Sequence, residues 1–369
     1  MKKLFVFAML LAVVLGCYGC GRKHTTQVPE DGAIYVRTAA REYDSAGEVI
    51  KLLQYQYDSQ GKILSRSLDR GLATEYFDEE EDIWRTKAGP VDGEADLFFE
   101  FEYDGQGNVV RRKEPTLTKD YQWEYADNGG VEIPVKCIGS ADAYSFDYDE
   151  EGRLNTVVYT LEGTQMGQLQ FSYDEADRLV REELVLPEGS FVYEFTYTEH
   201  DRVKTFSLSG DREDALTFEY DENGSLLSIK EKTGVDRISC TYDENGNLVR
   251  KEVYDEVSAE KTVYTFSYDG NQMISGEAVV LNKAGDETNS WEYRYDQNGC
   301  LVEQLNADGS RTEYEYTKLT LTAKEMRIHS RQQQILTGYH LYDWLFQGSF
   351  TTISAYIPIP IHPMLETGV

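Results

Sequence analysis

Cysteine, proline, histidine and positive charge are all scarce in this 369-residue chain, and each shortage removes a class of protein. Five cysteines without any paired CxxC spacing support neither a zinc site nor a disulfide framework. Five histidines (His24, His200, His329, His340, His362) form no HExxH pair, and neither a GxSxG elbow nor a phosphate loop is present. Only 36 Lys and Arg stand against 66 Asp and Glu, a formal net charge of −30. Such a charge repels nucleic acid and anionic headgroups at long range and favours solubility, so a nucleic-acid partner is not expected. With so many carboxylates, acid–base pairs arise by chance and point to no catalytic residue. Eight prolines against 27 tyrosines suit a pleated, half-buried surface better than helices.

A long apolar run does occur at the N-terminus. Lys2 and Lys3 precede uninterrupted apolar sequence from Leu4 to Leu15, too short for a stable transmembrane helix and of the length of a secretory signal. It ends in Val14-Leu15-Gly16-Cys17, which resembles the bacterial lipobox, in which the cysteine is lipidated and becomes the mature N-terminus. Ordinary cleavage near Cys20 is the alternative. The resemblance implies a signal peptide over residues 1–16, lipidation at Cys17 and an extracytoplasmic protein attached to a bacterial membrane. Two or more acyl chains make such an anchor stable. Residues 17–33 are polar and without periodicity, the character of a tether.

The stretch "YDENGSL" at 220–226 returns as "YDENGNL" at 242–248, and the chain aligned on itself shows thirteen copies of a seven-residue unit. They start at Tyr43, Tyr57, Phe77, Tyr103, Tyr125, Tyr148, Tyr173, Tyr197, Tyr220, Tyr242, Tyr268, Tyr295 and Tyr316. After the second copy the starts lie 20 to 27 residues apart, the period of a repeat protein. Position one is Tyr in twelve copies, position two Asp in ten, position five Gly in eight, and position seven is characteristically Val, Ile or Leu. Asp opening a type I turn accepts hydrogen bonds from the following N–H groups, and Gly three residues later tolerates the positive φ that closes a bulged hairpin. Asp221 with Gly224, Asp243 with Gly246 and Asp296 with Gly299 are therefore assigned as structural turn residues. Asp177 and Asp201 at position five can adopt the same backbone at modest cost. Gln272 and Thr320 fit less well and predict distorted turns or turns of another type.

Two residues before ten of the thirteen anchors lies an aromatic residue: Tyr55, Phe101, Trp123, Phe146, Phe171, Phe195, Phe218, Phe266, Tyr293 and Tyr314. Polar residues such as Gln56, Glu102, Glu124, Asp147 and Glu219 fall between. This period of two predicts strands with one buried and one wet face. The expected fold is all-β, an antiparallel meander of about thirteen hairpins over residues 34–322, forming a curved or spiral sheet. So much aromatic surface cannot stay in water, so the sheet must coil, close or be covered. The unit Tyr-Asp-x-x-Gly-x-aliphatic, repeated from Tyr43 to about Thr322, resembles the YD repeats of the Rhs and teneurin class of surface proteins. That resemblance implies a spiral β-sheet shell, in some members one that encloses a C-terminal toxin.

Calcium is the metal suggested by "YDENG", but the residues between Asp and Gly drift from Ser45-Ala46 to Gly105-Gln106 to Glu222-Asn223, unlike a ligand set. Calcium therefore stays a minor possibility, and no metal site is assigned. Cys240 replaces an aromatic residue of the row and reads as a small buried hydrophobe. Trp84, Tyr159 and Tyr254 fall outside the regular row and are candidates for a sugar-stacking surface. From Leu319 the acidic excess ends; residues 323–336 have the pattern of a helix, and Pro358, Pro360 and Pro363 bar the tail from a central strand. Residues 323–369 are expected to cap the last sheet edge or to dock a partner. The functional expectation is a non-catalytic binding or scaffolding module at the cell surface, with cell-wall or surface polysaccharide or a protein as partner. The alternatives are an Rhs-like shell with a toxin or C-terminal cargo, and a carbohydrate-active enzyme with an acidic site.

Overall fold

Alternation between aromatic and charged residues sets the local structure, and the Asp-x-x-Gly segments set where each strand ends. The computed structural model describes residues 32–78, 83–117, 119–128, 130–187, 189–210, 213–255, 258–322 and 325. Within them the chain forms 24 strands and one short 3-10 turn, Pro115–Leu117. Twenty-two strands belong to one sheet. Each pairs antiparallel with the strands before and after it. The first, Ala33–Tyr43, then pairs with the last, Arg311–Thr320, from Ala33↔Thr320 to Tyr43↔Arg311.

The sheet is therefore a closed barrel, which keeps the expected all-β antiparallel meander and differs in detail from a curved or spiral sheet. Closure gives every backbone N–H and C=O of the two terminal strands a partner and leaves no edge to template association. Closure leaves no free final edge in the sheet; residues 323–369, expected to cap that edge or to dock a partner, lie outside the described residues apart from Glu325. A helix start does follow the sheet: Glu325 accepts from the Thr322 N–H at 2.7 Å, and the Thr322 hydroxyl accepts from the Glu325 N–H. This reciprocal pair is a capping box. The rest of the expected helix, the signal segment, Cys17, Cys20 and the tether through residue 31 lie outside the described residues.

One row of each strand is buried, and it is the predicted one. Phe101, Trp123, Phe146, Phe195, Phe218, Phe266, Tyr293 and Tyr314 are buried, with Cys240 in register among them. Tyr55 and Phe171 are half-buried, while Gln56, Glu102, Glu124, Asp147 and Glu219 are exposed. The described residues form no second layer over this sheet, so shelter from water exists only where side chains converge. The aromatic row faces the inside of the closed sheet and the charged row faces out. Ile63, Val109, Leu179, Val203, Leu226, Leu248 and Leu301, at position seven, complete the buried layer. Full burial of each such side chain contributes about 1.5–3 kcal/mol.

The buried face also holds charge that the repeat pattern does not announce. Across the seam, guanidinium groups alternate with aromatic rings: Arg37 lies 5.9 Å from the Tyr314 centroid and 5.6 Å from Tyr55, and Arg66 lies 5.7 Å from Tyr55 and 5.9 Å from Phe99. Arg112 continues the series at 4.8 Å from Phe99 and pairs with Glu114 at 2.7 Å. Arg guanidinium is weakly hydrated and planar, which suits it to stacking inside an aromatic row, and buried Lys251 takes a comparable place 5.7 Å from the Tyr264 centroid.

A separate hairpin, Ala73–Asp78 with Ile83–Ala88, projects between Ile63–Arg70 and Leu97–Tyr103. It carries the Phe77 copy, whose turn is outside the described residues. At its base the backbone of Gly71 runs so close to the Gly89 carbonyl that no side chain could stand there.

Candidate functional site

Each predicted turn residue sits in the same five-residue geometry. The Asp221 N–H donates to the Ser225 carbonyl and the Gly224 N–H to the Asp221 carbonyl, both at 2.9 Å, a type I turn closed by a bulge. Asp243 with Gly246 and Asp296 with Gly299 repeat it, and φ is +81°, +83° and +77° at Gly224, Gly246 and Gly299. The carboxylates are consumed within their own turns. Asp243 accepts from the N–H groups of Asn245 and Asn247 at 2.9 and 2.8 Å and from the Asn247 amide at 3.0 Å. Asp296 accepts from the N–H groups of Asn298 and Cys300 at 2.8 and 2.9 Å. Among the described residues no three His, Cys, Asp or Glu side chains are grouped to hold a metal ion.

Gly224 is constrained by its φ of +81°; the Arg202 guanidinium carbon, 2.2 Å from where a Cβ would stand, ends a flexible side chain that can move aside. Gly224→Val is expected to lower stability by well over about 1 kcal/mol, whereas exposed Asn223→Ala stays within about 0.5 kcal/mol. Thermal unfolding of both variants checks this; equal shifts would contradict the left-handed turn.

Tyrosine rather than phenylalanine at position one has a structural reason that the motif alone does not give. In several copies the anchor hydroxyl donates to the carbonyl of the aliphatic residue in the preceding copy: Tyr125 to Val109, Tyr173 to Leu154 and Tyr220 to Val203 at 2.8 Å, and Tyr242 to Leu226 at 3.0 Å. Tyr148 donates instead to the Pro134 carbonyl and Tyr57 to that of Arg37. The ring packs against the buried layer while its hydroxyl ties one hairpin to the next.

Position six adds a second tie. Arg153 reaches back to Asp149 at 2.7 Å and across to Asp177 at 2.6 Å, and Arg178 does the same with Asp174 and Asp201. Their guanidinium groups lie 4.9 and 4.7 Å from the rings of Tyr173 and Tyr197. Asp177 and Asp201 thus replace glycine at φ +59° and serve as acceptors for the neighbouring turn. The Arg178 side chain, with its backbone N–H, holds the Asp174 carboxyl below the ordinary carboxylate range. A depressed folded pKa adds stability above the unfolded value near 3.9, and that stability disappears as pH falls through the folded pKa. Arg178→Gln should therefore lower Tm at pH 7, with the difference from the unsubstituted protein narrowing below about pH 3. A difference independent of pH would contradict this account.

Three barrel copies depart from the pattern, two of them at the expected Gln272 and Thr320. In the Tyr125 copy Asn128 pairs with Val131 and Tyr125 with Pro134, a register unlike that of the regular copies. In the Tyr268 copy, Asp269 pairs directly with Gln272 around a two-residue turn with Gly270 at φ +60°. The one-step slip places Met273 opposite Tyr268 and turns Ile274 outward, 46% exposed. The Tyr316 copy forms no turn; it runs on as the last strand to Thr320 and pairs with Ala33–Tyr43, where closure replaces another hairpin. Of thirteen expected hairpins, eleven lie in the barrel and one projects from it.

The 14-residue step between Tyr43 and Tyr57 is one strand and one turn, so these two turns lie on opposite rims. The later barrel copies share the rim of Tyr57, where the chain also enters and leaves: the Leu321 N–H donates to the Gly32 carbonyl at 3.1 Å. The other rim repeats the five-residue turn without tyrosine, from Glu231 to Gly234, Asn282 to Gly285 and Asn306 to Gly309. The Asn-x-x-Gly spacing was the available signal for the last two.

The irregular aromatics do not converge. Tyr159 stacks on buried Tyr144 with centroids 5.0 Å apart and belongs to the core, Tyr254 is half-buried on the strand Leu248–Asp255, and Trp84 lies on the projecting hairpin. Cys137 and Cys240 are buried free thiols, and burial pushes the Cys300 thiol up to about 11, away from nucleophilic reactivity.

Polar side chains line a shallow hollow on the outer face at the seam. A depression of about 260 Å³ crosses five strands there, with Ala39, Gln54, Ser67, Phe98 and Glu315 among its lining.

Residues 140–320 match the family model described as Teneurin YD-shell. No curated protein matches the chain. Among solved structures, the chain is similar to one in the TcdB2-TccC3-Cdc42 complex at 9% identity, with 84% of this chain and 19% of that chain covered and a TM-score of 0.32. A TcdB2-TccC3 structure matches at 10% identity, 84% and 20% coverage and a TM-score of 0.32. A porin-like protein from Bacteroides uniformis matches at 9% identity, 76% and 96% coverage and a TM-score of 0.31. The chain spans about a fifth of the length of the TcdB2-TccC3 chains.

Proposed function

We propose that the chain, whose residues 140–320 match the Teneurin YD-shell model, is a YD-repeat bacterial envelope lipoprotein, anchored through Cys17, whose closed shell is a non-catalytic binding module. The observation that carries the reading is the division of the sheet into a buried aromatic row and an outer row of charge. Outward Glu102, Glu124, Glu194 and Glu219 suit water and not lipid, where exposed charge at mid-bilayer is costly. A shell held outside the bilayer then needs a tether, and residues 17–33 supply one. The described chain enters at Gly32 and leaves at Thr322 on the rim that bears most YD turns, and in this reading that rim faces the membrane.

Two measurements test this. Fatty-acid labelling of the full-length chain in a bacterial host should be lost, together with membrane retention, in Cys17→Ala. The lipid-free chain should bind isolated cell envelope saturably, and unsaturable or absent retention would sink the binding role. A shell for C-terminal cargo is the second reading, favoured by the emergence of the tail at a rim of a closed barrel. Release of a folded, active fragment beyond residue 322 would decide for it.

A further inference from the structure

One aromatic position of the inner row is filled by a thiol, and the residue that stands against it is a lysine. In regular copies Phe146 faces Val157, Phe195 faces Phe206 and Phe218 faces Ile229, so ring meets apolar side chain. Where the facing residue is cationic it is an arginine against a ring, as Arg66 against Tyr55 and Arg112 against Phe101. Cys240 instead faces Lys251, and Lys251 faces Tyr264 on its other side. Two departures from the row thus fall in a single cross-strand pair.

Both side chains are buried, Cys240 at 7% and Lys251 at 6% exposed, and Cys240 packs with Leu248 and Phe266. Among the described residues the Lys251 amine makes no hydrogen bond or ion pair, and its polar contact is the face of Tyr264, 5.7 Å from the ring centroid. Its charged neighbours along the strand, Arg250 and Glu252, pair with each other. An ammonium buried without a carboxylate is costly, so burial lowers the Lys251 pKa and favours the neutral amine, which is both base and nucleophile. Burial pushes the Cys240 thiol up, while Lys251 and the Tyr242 hydroxyl act against that rise. Directly opposite residues have their Cβ atoms about 5 Å apart, and the flexible lysine stem lets the amine fold onto the sulfur.

We propose that Cys240 and Lys251 form a cross-linking site for hydrogen peroxide, in which oxidation of the sulfur joins it to the lysine nitrogen. The amine takes the thiol proton, and the thiolate attacks one peroxide oxygen. The O–O bond breaks, and the departing hydroxide takes the proton back from the ammonium and leaves as water. Cys240 is then a sulfenic acid beside a neutral amine. The amine attacks sulfur, the S–N bond forms, the S–O bond breaks, and the hydroxyl leaves as water with one amine hydrogen. Sulfur has lost two electrons to peroxide, and the pair has lost two hydrogen atoms. The linked nitrogen is uncharged and suits the apolar surroundings better than an ammonium does. Peroxide is small and uncharged and needs little opening to reach the sulfur. The other described cysteines lack the arrangement: Cys137 faces Trp123 and Tyr144, and Cys300 closes the turn that begins at Asp296. The site is independent of the binding-module reading.

Full-length folded protein is to be treated with hydrogen peroxide, its remaining thiols alkylated, and the chain digested without reductant for mass spectrometry. One peptide pair joined through Cys240 and Lys251 is expected, two hydrogens lighter than the unlinked pair and separated by dithiothreitol. Trypsin should fail to cut after the linked Lys251, and Cys137 and Cys300 should join no lysine. Protein unfolded before the treatment should give at least tenfold less of the link. Lys251→Met, an apolar replacement of similar length, should form no link at an undiminished Tm. If that variant fails to fold, the peptide map of the unsubstituted protein decides alone. Sulfinic acid at Cys240 beside an unmodified Lys251, a link to another lysine, or an intact thiol at peroxide doses that oxidise the methionines would each overturn the site.

Discussion

Phe218→Ala is expected to destabilise the barrel by about 3–5 kcal/mol. The ring is 3% exposed, stands opposite Ile229 and belongs to the continuous buried cluster that runs from Ile63 to Ile229. Its removal sacrifices the transfer free energy of a whole ring and leaves a cavity that two hydrogen-bonded neighbouring strands cannot collapse to fill. Phe171, at the same motif position but half-buried, should cost clearly less. Denaturant unfolding of both variants makes the comparison. Equal losses would mean that the inward row is not graded by burial, and unchanged unfolding for Phe218→Ala would refute the assignment of faces.

Glu114→Gln should have an effect of similar size for an electrostatic reason. Glu114 is 0% and Arg112 3% exposed, and the pair is held at 2.7 Å. Neutralising one partner strands a guanidinium inside the closed sheet, a loss of about 3–5 kcal/mol, whereas a pair of hydrophobic residues of similar volume is often neutral or better. Arg112→Met combined with Glu114→Leu should therefore recover most of the stability lost in Glu114→Gln. If the double variant is as unstable as the single one, the stacking of Arg112 over Phe99, 4.8 Å away, matters more than charge balance.

Much of this architecture was legible because it is local. The alternation at Phe218-Glu219-Tyr220 can satisfy water and core only as a strand, and Asp221 with Gly224 can close that strand only as a bulged turn. The misfit at Gln272 was also readable, and it became a two-residue turn with Ile274 on the outside. The exchange of glycine for Asp201 was readable only as tolerated backbone. Its use as the acceptor for Arg178 depends on two turns 23 residues apart lying side by side.

The strands, their turns, the face that each side chain takes and the acidic character of the chain were readable in the sequence, since they follow from composition and from spacings of one to seven residues. Only the tertiary structure decided that the sheet closes, because the pairing of Ala33–Tyr43 with Arg311–Thr320 joins residues nearly 300 positions apart and depends on the accumulated twist and tilt of every hairpin between them. The same closure brought Glu315 beside Ala39, stacked Arg37 between Tyr55 and Tyr314, and formed the hollow at the seam.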